Sequence, residues 1–409
     1  MLIPFPNVLS ATILIMVGVG SRHETKRQSG ITHFLEHMIF RGTEKRPDTR
    51  SICEAMDSIG GAFNAGTTKQ FTFFEGKVAS NHLGKGLEIL SDLLTHPRFD
   101  PEEIEKEKRV VAEEIRMRRE EPESYVADLF DRLIWGETPL GQSLVGTLET
   151  VKRFQRRHLF SYLRSWYALD NIVVGIGGKY SRKEVIRLVS ASFQDLPRRK
   201  KGEEKKIPGV QKKPRFLLHR RDTEQAYVSL GFRTFSYHHP DMIPLLVLET
   251  LLGGSMSSRL FLFIRDEMGL AYEIGAHSIL YGDVGSFTIQ AGLKLSEIEK
   301  ALGRIFEELQ RLKREKIPER ELSLVKEYLH GSTVLELDDP ESLTDWYCRY
   351  ELMMGQTLSV QALIQKIEAV QADDLYRLAN RIFRPDRLNL VIIGPFRRPS
   401  LFERLLNRF

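Results

Sequence analysis

The chain has 409 residues, of which 42% are hydrophobic and 28% charged, and its net charge is +5. This length predicts two domains of roughly 200 residues, because one hydrophobic core rarely grows so large, and the composition is that of an ordinary soluble globular protein. The two cysteines, Cys53 and Cys348, lie far apart in the sequence, which argues against a disulfide scaffold and suits a reducing compartment.

The excess of positive charge lies in one segment, RRKKGEEKKIPGVQKK at residues 198–213. Its net charge is +6, which leaves the rest of the chain at −1, so we expect no nucleic-acid-binding face. The segment also contains Pro208 and Gly209 and shows no apolar periodicity. We predict a solvated linker here, with a basic docking tail as the alternative.

The first predicted element is an apolar stretch, NVLSATILIMVGVG at residues 7–20. A membrane span needs about 20 apolar residues and a signal peptide needs a basic start, and this stretch has neither. Val17 and Val19 alternate with glycines, and β-branched residues precede them, which favours a buried strand. The sequence therefore predicts no membrane span, no export signal and a cytoplasmic location.

HFLEH, at residues 33–37, is the next feature. On a helix His33 and His37 lie about 40° apart on one face, so both imidazoles can reach one zinc ion. Glu36 is then a candidate general base on a zinc-bound water. This inverted H-x-x-E-H pattern is expected by chance only about 0.04 times in such a chain. The alternative is an amphipathic helix that exposes both histidines.

A long helix is predicted after Pro101, in EIEKEKRVVAEEIRMRREEPE. Glu107 and Glu114 are seven residues apart and therefore stack on one face of this helix. One carboxylate added to two neutral histidines would leave a zinc centre at +1 and preserve its Lewis acidity. Glu114 is the candidate third ligand, Glu113 is its competitor about 100° away, and a solvated acidic surface is the alternative.

Short segments recur at a nearly fixed offset and indicate a tandem duplication. Pro101 and Pro318, each followed by acidic residues as at a helix start, are 217 residues apart. Asn171 in LDNIVVGIGG and Asn389 in RLNLVIIGP are 218 residues apart. We predict an N-terminal domain at 1–197, the linker at 198–213 and a C-terminal copy at 214–409.

The copies share a composition of long helices and short strands, such as FNAGTTKQFTFFEG and GSFTIQAGL. This predicts an α+β fold of two homologous domains, each a mainly antiparallel sheet with helices packed on one face. At an offset of 217, His33 and His37 fall on Thr250 and Gly254, so the second copy lacks the histidine pair. The presence of HFLEH in one copy only favours a function over a packing role.

These residues resemble the pitrilysin/insulinase superfamily of zinc metallopeptidases, and most closely its half-size branch, which includes mitochondrial processing peptidase β subunits and bacterial relatives. HFLEHMIFRGT resembles the family signature, and the 77 residues from His37 to Glu114 match the family's distance to its third ligand. The further resembling blocks cover nearly the whole chain and are PLGQSLVGTLETV, LDNIVVGIGG, LGGSMSSRLFLFIRDEMGLAYEIGA and LNLVIIGP.

The resemblance implies a role for each matching residue. His33, His37 and Glu114 would bind Zn²⁺, Glu36 would be the general base, and Glu107 would be an assisting carboxylate that orients a ligand. Arg265 and Tyr272 match the family's Arg/Tyr pair, which acts on bound substrate and the oxyanion. Without the resemblance, Tyr272 would be predicted to lie in the core after a helix ended by Gly269.

GGAFNAGTTKQFTFF, at residues 60–74, resembles the edge strand along which family substrates lie. Asn64 and Ala65 match the substrate-binding motif, Gln70 stands where the family usually has Glu, and an ordinary edge strand is the alternative. The resemblance implies a zinc endopeptidase for unfolded peptides or presequences that forms a homodimer. The alternatives are the catalytic chain of a heterodimer and a non-catalytic scaffold subunit.

Overall fold

Helices and short strands alternate along both halves of the chain in the computed structural model, which describes residues 1–199, 206–207, 211–406 and 409. The elements of the first half are β1 (Leu2–Pro4), β2 (Ser10–Val17), α1 (Ile31–Ile39), α2 (Thr49–Asp57), β3 (Ala62–Thr67), β4 (Thr72–Ala79), α3 (Leu83–Thr95), α4 (Pro101–Glu120), α5 (Pro122–Trp135), α6 (Leu148–Lys152), α7 (Arg156–Trp166), β5 (Ile172–Gly178) and α8 (Arg182–Phe193).

The second half repeats this alternation of helices and strands. Its elements are β6 (Arg215–Arg220), β7 (Ala226–Thr234), α9 (Met242–Gly253), a π-helix (Phe261–Glu267), β8 (Ala271–Leu280), β9 (Gly285–Leu293), α10 (Ile298–Arg314), α11 (Glu319–Leu337), α12 (Pro340–Met354), α13 (Val360–Glu368), α14 (Ala372–Ile382), β10 (Leu388–Gly394) and α15 (Pro399–Leu406). Pro101 is the first residue of α4 as predicted, whereas Pro318 immediately precedes α11, because its carbonyl accepts the first helical hydrogen bonds.

The two sheets have the same topology. The strand order is β1-β5-β2-β4-β3 in the first sheet and β6-β10-β7-β9-β8 in the second. In each sheet one outer pair, β1 with β5 or β6 with β10, is parallel, and the other three pairs are antiparallel. This repeated order confirms the predicted α+β fold of two copies with mainly antiparallel sheets.

One face of the first sheet packs on helices of its own half. Ala11, Ile13, Ile15 and Val17 alternate along β2 and enter a core that also contains apolar residues of α1, α3 and α4. The predicted buried strand is therefore confirmed. The same core holds the apolar side chains of α1, namely Ile31, Phe34, Leu35, Met38 and Ile39, which orients this helix on the sheet.

The opposite face of each sheet is covered by a helix from the other half of the chain. Helix α12 packs on β5 and β2, and α5 packs on β10 and β7. A Cβ atom on Gly175 would collide with the Cys348 sulfur, and one on Gly177 would collide with the Thr344 hydroxyl. The glycines of VVGIGG thus allow α12 to lie directly on β5, and the two exchanged helices add a second covered face to the predicted arrangement.

The chain divides into two compact units that contain these exchanged segments. One unit comprises Met1–Met117, Gln142–Lys205 and Val334–Leu358, and the other comprises Arg118–Gly141, Lys206–Thr333 and Ser359–Phe409. The sequence boundaries at residues 197 and 213 stay a prediction. Residues 200–205 and 208–210 of the predicted linker lie outside the described residues. No helix in the described part of the chain combines the length and the apolar character of a membrane span.

Candidate metal centre

Two helices of the first unit carry the side chains of the candidate site. Helix α1 carries HFLEH, and α4 carries both Glu107 and Glu114. Helix α1 starts after Gly30, whose φ of 87° is a left-handed conformation that suits glycine. Helix α4 turns its apolar side chains, Ile104, Val111 and Ile115, into the core. This packing sets the rotation of α4 and thereby the direction of its acidic side chains.

The side chains of His33, His37 and Glu114 converge. The Nε2 atoms of His33 and His37 are 3.3 Å apart. The Glu114 carboxylate oxygens lie 3.3 Å from His33 Nε2 and 3.7 Å from His37 Nε2. Tetrahedral zinc with Zn–N distances of about 2.0–2.1 Å separates two ligand nitrogens by about 3.3 Å, so the spacing fits zinc. Among the described residues, these three form the one group of His, Cys, Asp or Glu side chains placed to hold a metal ion.

Glu113, the competing carboxylate, is directed elsewhere. Its side chain is 61% exposed and pairs with Arg116 at 2.7 Å. It therefore takes no part in the group that His33, His37 and Glu114 form. The difference follows from the turn of about 100° between neighbouring helical residues.

Glu107 lies behind His37. It is fully buried, its Oε1 is 2.8 Å from His37 Nδ1, and its other oxygen pairs with Arg41. Because His37 donates its Nδ1 proton to this carboxylate, its Nε2 keeps a lone pair toward His33 and Glu114. Burial raises the pKa of Glu107, but the hydrogen bonds from His37 and Arg41 outweigh burial and lower it. Burial lowers the pKa of His37. The hydrogen bond to Glu107 and the charges of the nearby carboxylates together outweigh burial, so the pKa is raised.

We expect Glu107→Gln to weaken zinc binding by about ten- to a hundred-fold, because a neutral amide no longer balances Arg41 or increases the basicity of His37. Competition with a chromophoric chelator measures this affinity. Glu105→Gln is the matched control, since Glu105 lies on the same helix, is exposed and pairs through its side chain with Lys108. Equal zinc affinities of the two variants would contradict the assignment.

Glu36 lies beside the convergent group without belonging to it. Its carboxylate is half-buried and accepts a hydrogen bond of 3.1 Å from the Thr67 hydroxyl, at the end of β3. The buried Tyr167 is a neutral neighbour, because burial and the charge of Glu36 raise the pKa of its phenol far above its usual value. A carboxylate so placed is available to exchange a proton with a water molecule at the centre.

Strand β3 is the outermost strand of the first sheet, which confirms the predicted edge strand. Asn64 and Ala65 lie in its middle, and Asn64 donates a hydrogen bond of 3.2 Å to Glu75 on β4. Thr67 ends the strand beside Glu36. The free edge of β3 therefore runs toward the candidate base, while Gln70 is buried in the turn to β4.

Arg265 and Tyr272 belong to the second unit. The Arg265 guanidinium lies 4.8 Å from the centroid of the Phe261 ring, within the π-helix. Gly269, at a φ of 60°, follows that helix, and Tyr272 stands at a bulge near the start of the edge strand β8. Tyr272 is 65% exposed, so the residue is not part of the core.

Comparison with known proteins identifies the family. The model of insulinase, peptidase family M16, matches residues 5–148, and that of the peptidase M16 inactive domain matches residues 153–329. A zinc protease of Bacillus subtilis named YmxG is 36% identical over 394 residues, which cover 95% of this chain and 94% of the relative. The chain belongs to peptidase family M16.

One more relative and two solved structures are similar to this chain, and the structures share its fold. A zinc protease of Streptomyces coelicolor is 32% identical over 96% of this chain and 86% of its own length. The crystal structure of a protease from Helicobacter pylori shares the fold with a TM-score of 0.89 at 23% identity, covering 96% of this chain and 97% of that one. The M16-like peptidase of Alicyclobacillus acidocaldarius has a TM-score of 0.84 at 19% identity over 97% and 95% of the two chains.

Two charged residues near the centre of this M16 chain were not found from the sequence. Arg41 follows the end of α1 and pairs with Glu107, which lies 66 positions further along the chain, so no local pattern marks this contact. Glu24 is 1% exposed and accepts hydrogen bonds from the N–H groups of Gly30 and Thr32. Burial raises the pKa of Glu24 to about 8, against the lowering effect of these hydrogen bonds and of Lys69. Nothing in the local sequence around Glu24 marks it as a partner of α1.

Proposed function

We propose that this chain is a zinc-dependent endopeptidase that hydrolyses unfolded peptides or presequence-like segments. The observation that carries the proposal is the convergence of His33, His37 and Glu114 at the spacing of tetrahedral zinc ligands. The Glu36 carboxylate lies beside this group without belonging to it. The zinc protease names of relatives at 36% and 32% identity support it.

Each residue of the centre has a chemical role in this proposal. His33 and His37 would hold zinc through Nε2, and Glu114 would be the third ligand, while Glu107 keeps His37 in the required tautomer. Zinc, when bound, supplies a Lewis acid for the scissile carbonyl and the attacking water. Glu36 accepts the proton of that water and returns it to the nitrogen of the leaving amine.

The edge of β3 supports an extended peptide as substrate. A peptide paired as an added strand beside Asn64 and Ala65 would be led along β3 to Thr67, which contacts Glu36. Backbone pairing of this kind tolerates many side chains, which suits unfolded substrates. Arg265 and Tyr272 would donate hydrogen bonds to bound substrate and to the oxyanion, a role that the exposure of Tyr272 permits. The family resemblance favours a homodimer, with a heterodimer as the alternative.

Metal removal and reloading test the proposal. We expect purified protein to bind one zinc ion per chain, in keeping with the single candidate group of described residues, and to cleave an unstructured fluorogenic peptide. A chelator should abolish cleavage, and added zinc should restore it. Light scattering shows whether the protein is a monomer or a dimer. If the protein binds zinc but cleaves no such peptide in either state, a scaffold subunit or a heterodimer subunit is favoured. Protein that binds no zinc would contradict the metal centre itself.

A further inference from the structure

The first turn of α1 is an electrically unfavourable place for a metal cation. His33 is only the third residue of this helix. The free N–H groups at a helix start have a partial positive charge equivalent to about half an elementary charge. A dication held by His33 would therefore lie close to a positive helix end, and this repulsion opposes metal binding.

The Glu24 carboxylate covers that positive end. Its Oε2 accepts the Gly30 N–H at 2.7 Å, and its Oε1 accepts the Thr32 N–H at 2.8 Å, so both oxygens bond to the start of α1. Burial raises the pKa of Glu24 to about 8, so its carboxyl is mainly ionised only above that pH, where its 1% exposure leaves the charge little screened by solvent. A neutral contact, between the hydroxyls of Thr32 and Tyr162 at 2.7 Å, holds the same turn.

We infer that Glu24 is a positioning residue that raises the zinc affinity of the centre: its charge offsets the positive end of α1, and its two hydrogen bonds hold the turn that carries His33. Glu24 acts through α1, since its oxygens contact the backbone before His33 and belong to no ligand group. This inference rests on the proposed zinc centre. The effects of charge and of packing on zinc affinity can be separated, because Glu24 contacts this helical turn through a carboxylate and Tyr162 contacts it through a neutral hydroxyl.

Zinc affinities of three variants test the inference, measured with chelator-buffered zinc at about pH 9, where Glu24 with its pKa of about 8 is mainly ionised. Glu24→Gln keeps the size of the side chain and removes its charge, and we expect zinc to bind about ten-fold more weakly. Glu24→Asp keeps the charge, and we expect its affinity to stay within about three-fold of the unchanged protein. Tyr162→Phe removes a neutral hydrogen bond from the same turn and is the matched control, with an expected change below about two-fold.

Further measurements separate a specific role from general destabilisation. Circular dichroism and thermal unfolding of the metal-free variants show whether the fold is retained. The visible spectrum of bound Co²⁺ should keep the intensity of a tetrahedral site in Glu24→Gln, and cleavage at saturating zinc should stay within about three-fold, because all three ligands remain.

Several results would overturn the inference. One is a folded Glu24→Gln variant that binds zinc as tightly as the unchanged protein, and another is a Tyr162→Phe variant that loses as much affinity. If Glu24→Gln does not fold, Glu24→Asp decides: retained affinity supports the role of charge, and a ten-fold loss contradicts it. Failure of both variants to fold would assign Glu24 to folding instead. If the unchanged protein binds no zinc, the proposed function fails, and the inference about Glu24, which rests on it, fails with it.

Discussion

Replacement of Glu36 by glutamine is expected to lower kcat for peptide cleavage by about 10²–10⁴-fold while zinc stays bound. The amide keeps the size of the side chain and still accepts the hydrogen bond from Thr67, but it cannot take a proton from water. Because Glu36 stands outside the group formed by His33, His37 and Glu114, zinc affinity should change little. This pairing of lost turnover with retained metal distinguishes a base from a ligand.

Single-turnover cleavage of a fluorogenic peptide, with zinc measured by atomic absorption in the same sample, checks this expectation. Thr67→Val is a suitable companion variant, since it removes the hydrogen bond to Glu36 and leaves the carboxylate in place. Its kcat should fall by less than about ten-fold. The base assignment is wrong if Glu36→Gln cleaves as fast as the unchanged protein, and a loss of zinc from Glu36→Gln would make Glu36 a ligand.

Glu114→Gln is expected to weaken zinc binding by a factor on the order of a thousand, and to abolish cleavage when zinc is not in large excess. Glu114 would be the one anionic ligand of the centre, with an oxygen 3.3 Å from His33 Nε2. A neutral amide is a poorer ligand, and it leaves the dication with two imidazoles alone. The loss should therefore exceed that expected for Glu107→Gln, which leaves all three ligands in place.

The neighbouring residue provides a matched control for this prediction. Glu113→Gln makes the same chemical change one position earlier, where the side chain is 61% exposed and paired with Arg116. We expect its zinc affinity and activity to stay within about two-fold of the unchanged protein. Isothermal titration of the metal-free proteins with zinc compares the two. A larger loss in Glu113→Gln than in Glu114→Gln would reverse the ligand assignment.

The candidate centre was largely predictable because its parts are local or evenly spaced. HFLEH places two imidazoles one helical turn apart whatever surrounds the helix. The seven-residue spacing of Glu107 and Glu114 likewise puts both on one face of α4. The choice between Glu113 and Glu114 stayed open on helix geometry alone. It depends on how Val111 and Ile115 pack in the core, and that packing turns Glu114 toward the histidines.

Other contacts of the centre could not be predicted because they join residues distant in the chain. Arg41 pairs with Glu107 across 66 positions, and Thr67 reaches Glu36 across 31. Glu24 is only six residues from Gly30, yet its role depends on a loop that folds back onto the start of α1. Such pairings depend on which surfaces pack together, and no period in the sequence records them.

The sequence by itself determined the duplicated α+β fold, the buried strand β2 and the helix that carries two histidines, because each has a short-range pattern or a repeated offset. The edge strand β3 was predicted from the resemblance to a known family. The tertiary structure alone decided that α12 covers the first sheet and α5 the second. It also decided the Nε2–Nε2 distance of 3.3 Å between His33 and His37 and the burial of Glu24 against α1. These features come from side-chain packing between segments far apart in the chain, where helix approach depends on small residues such as Gly175 and Gly177.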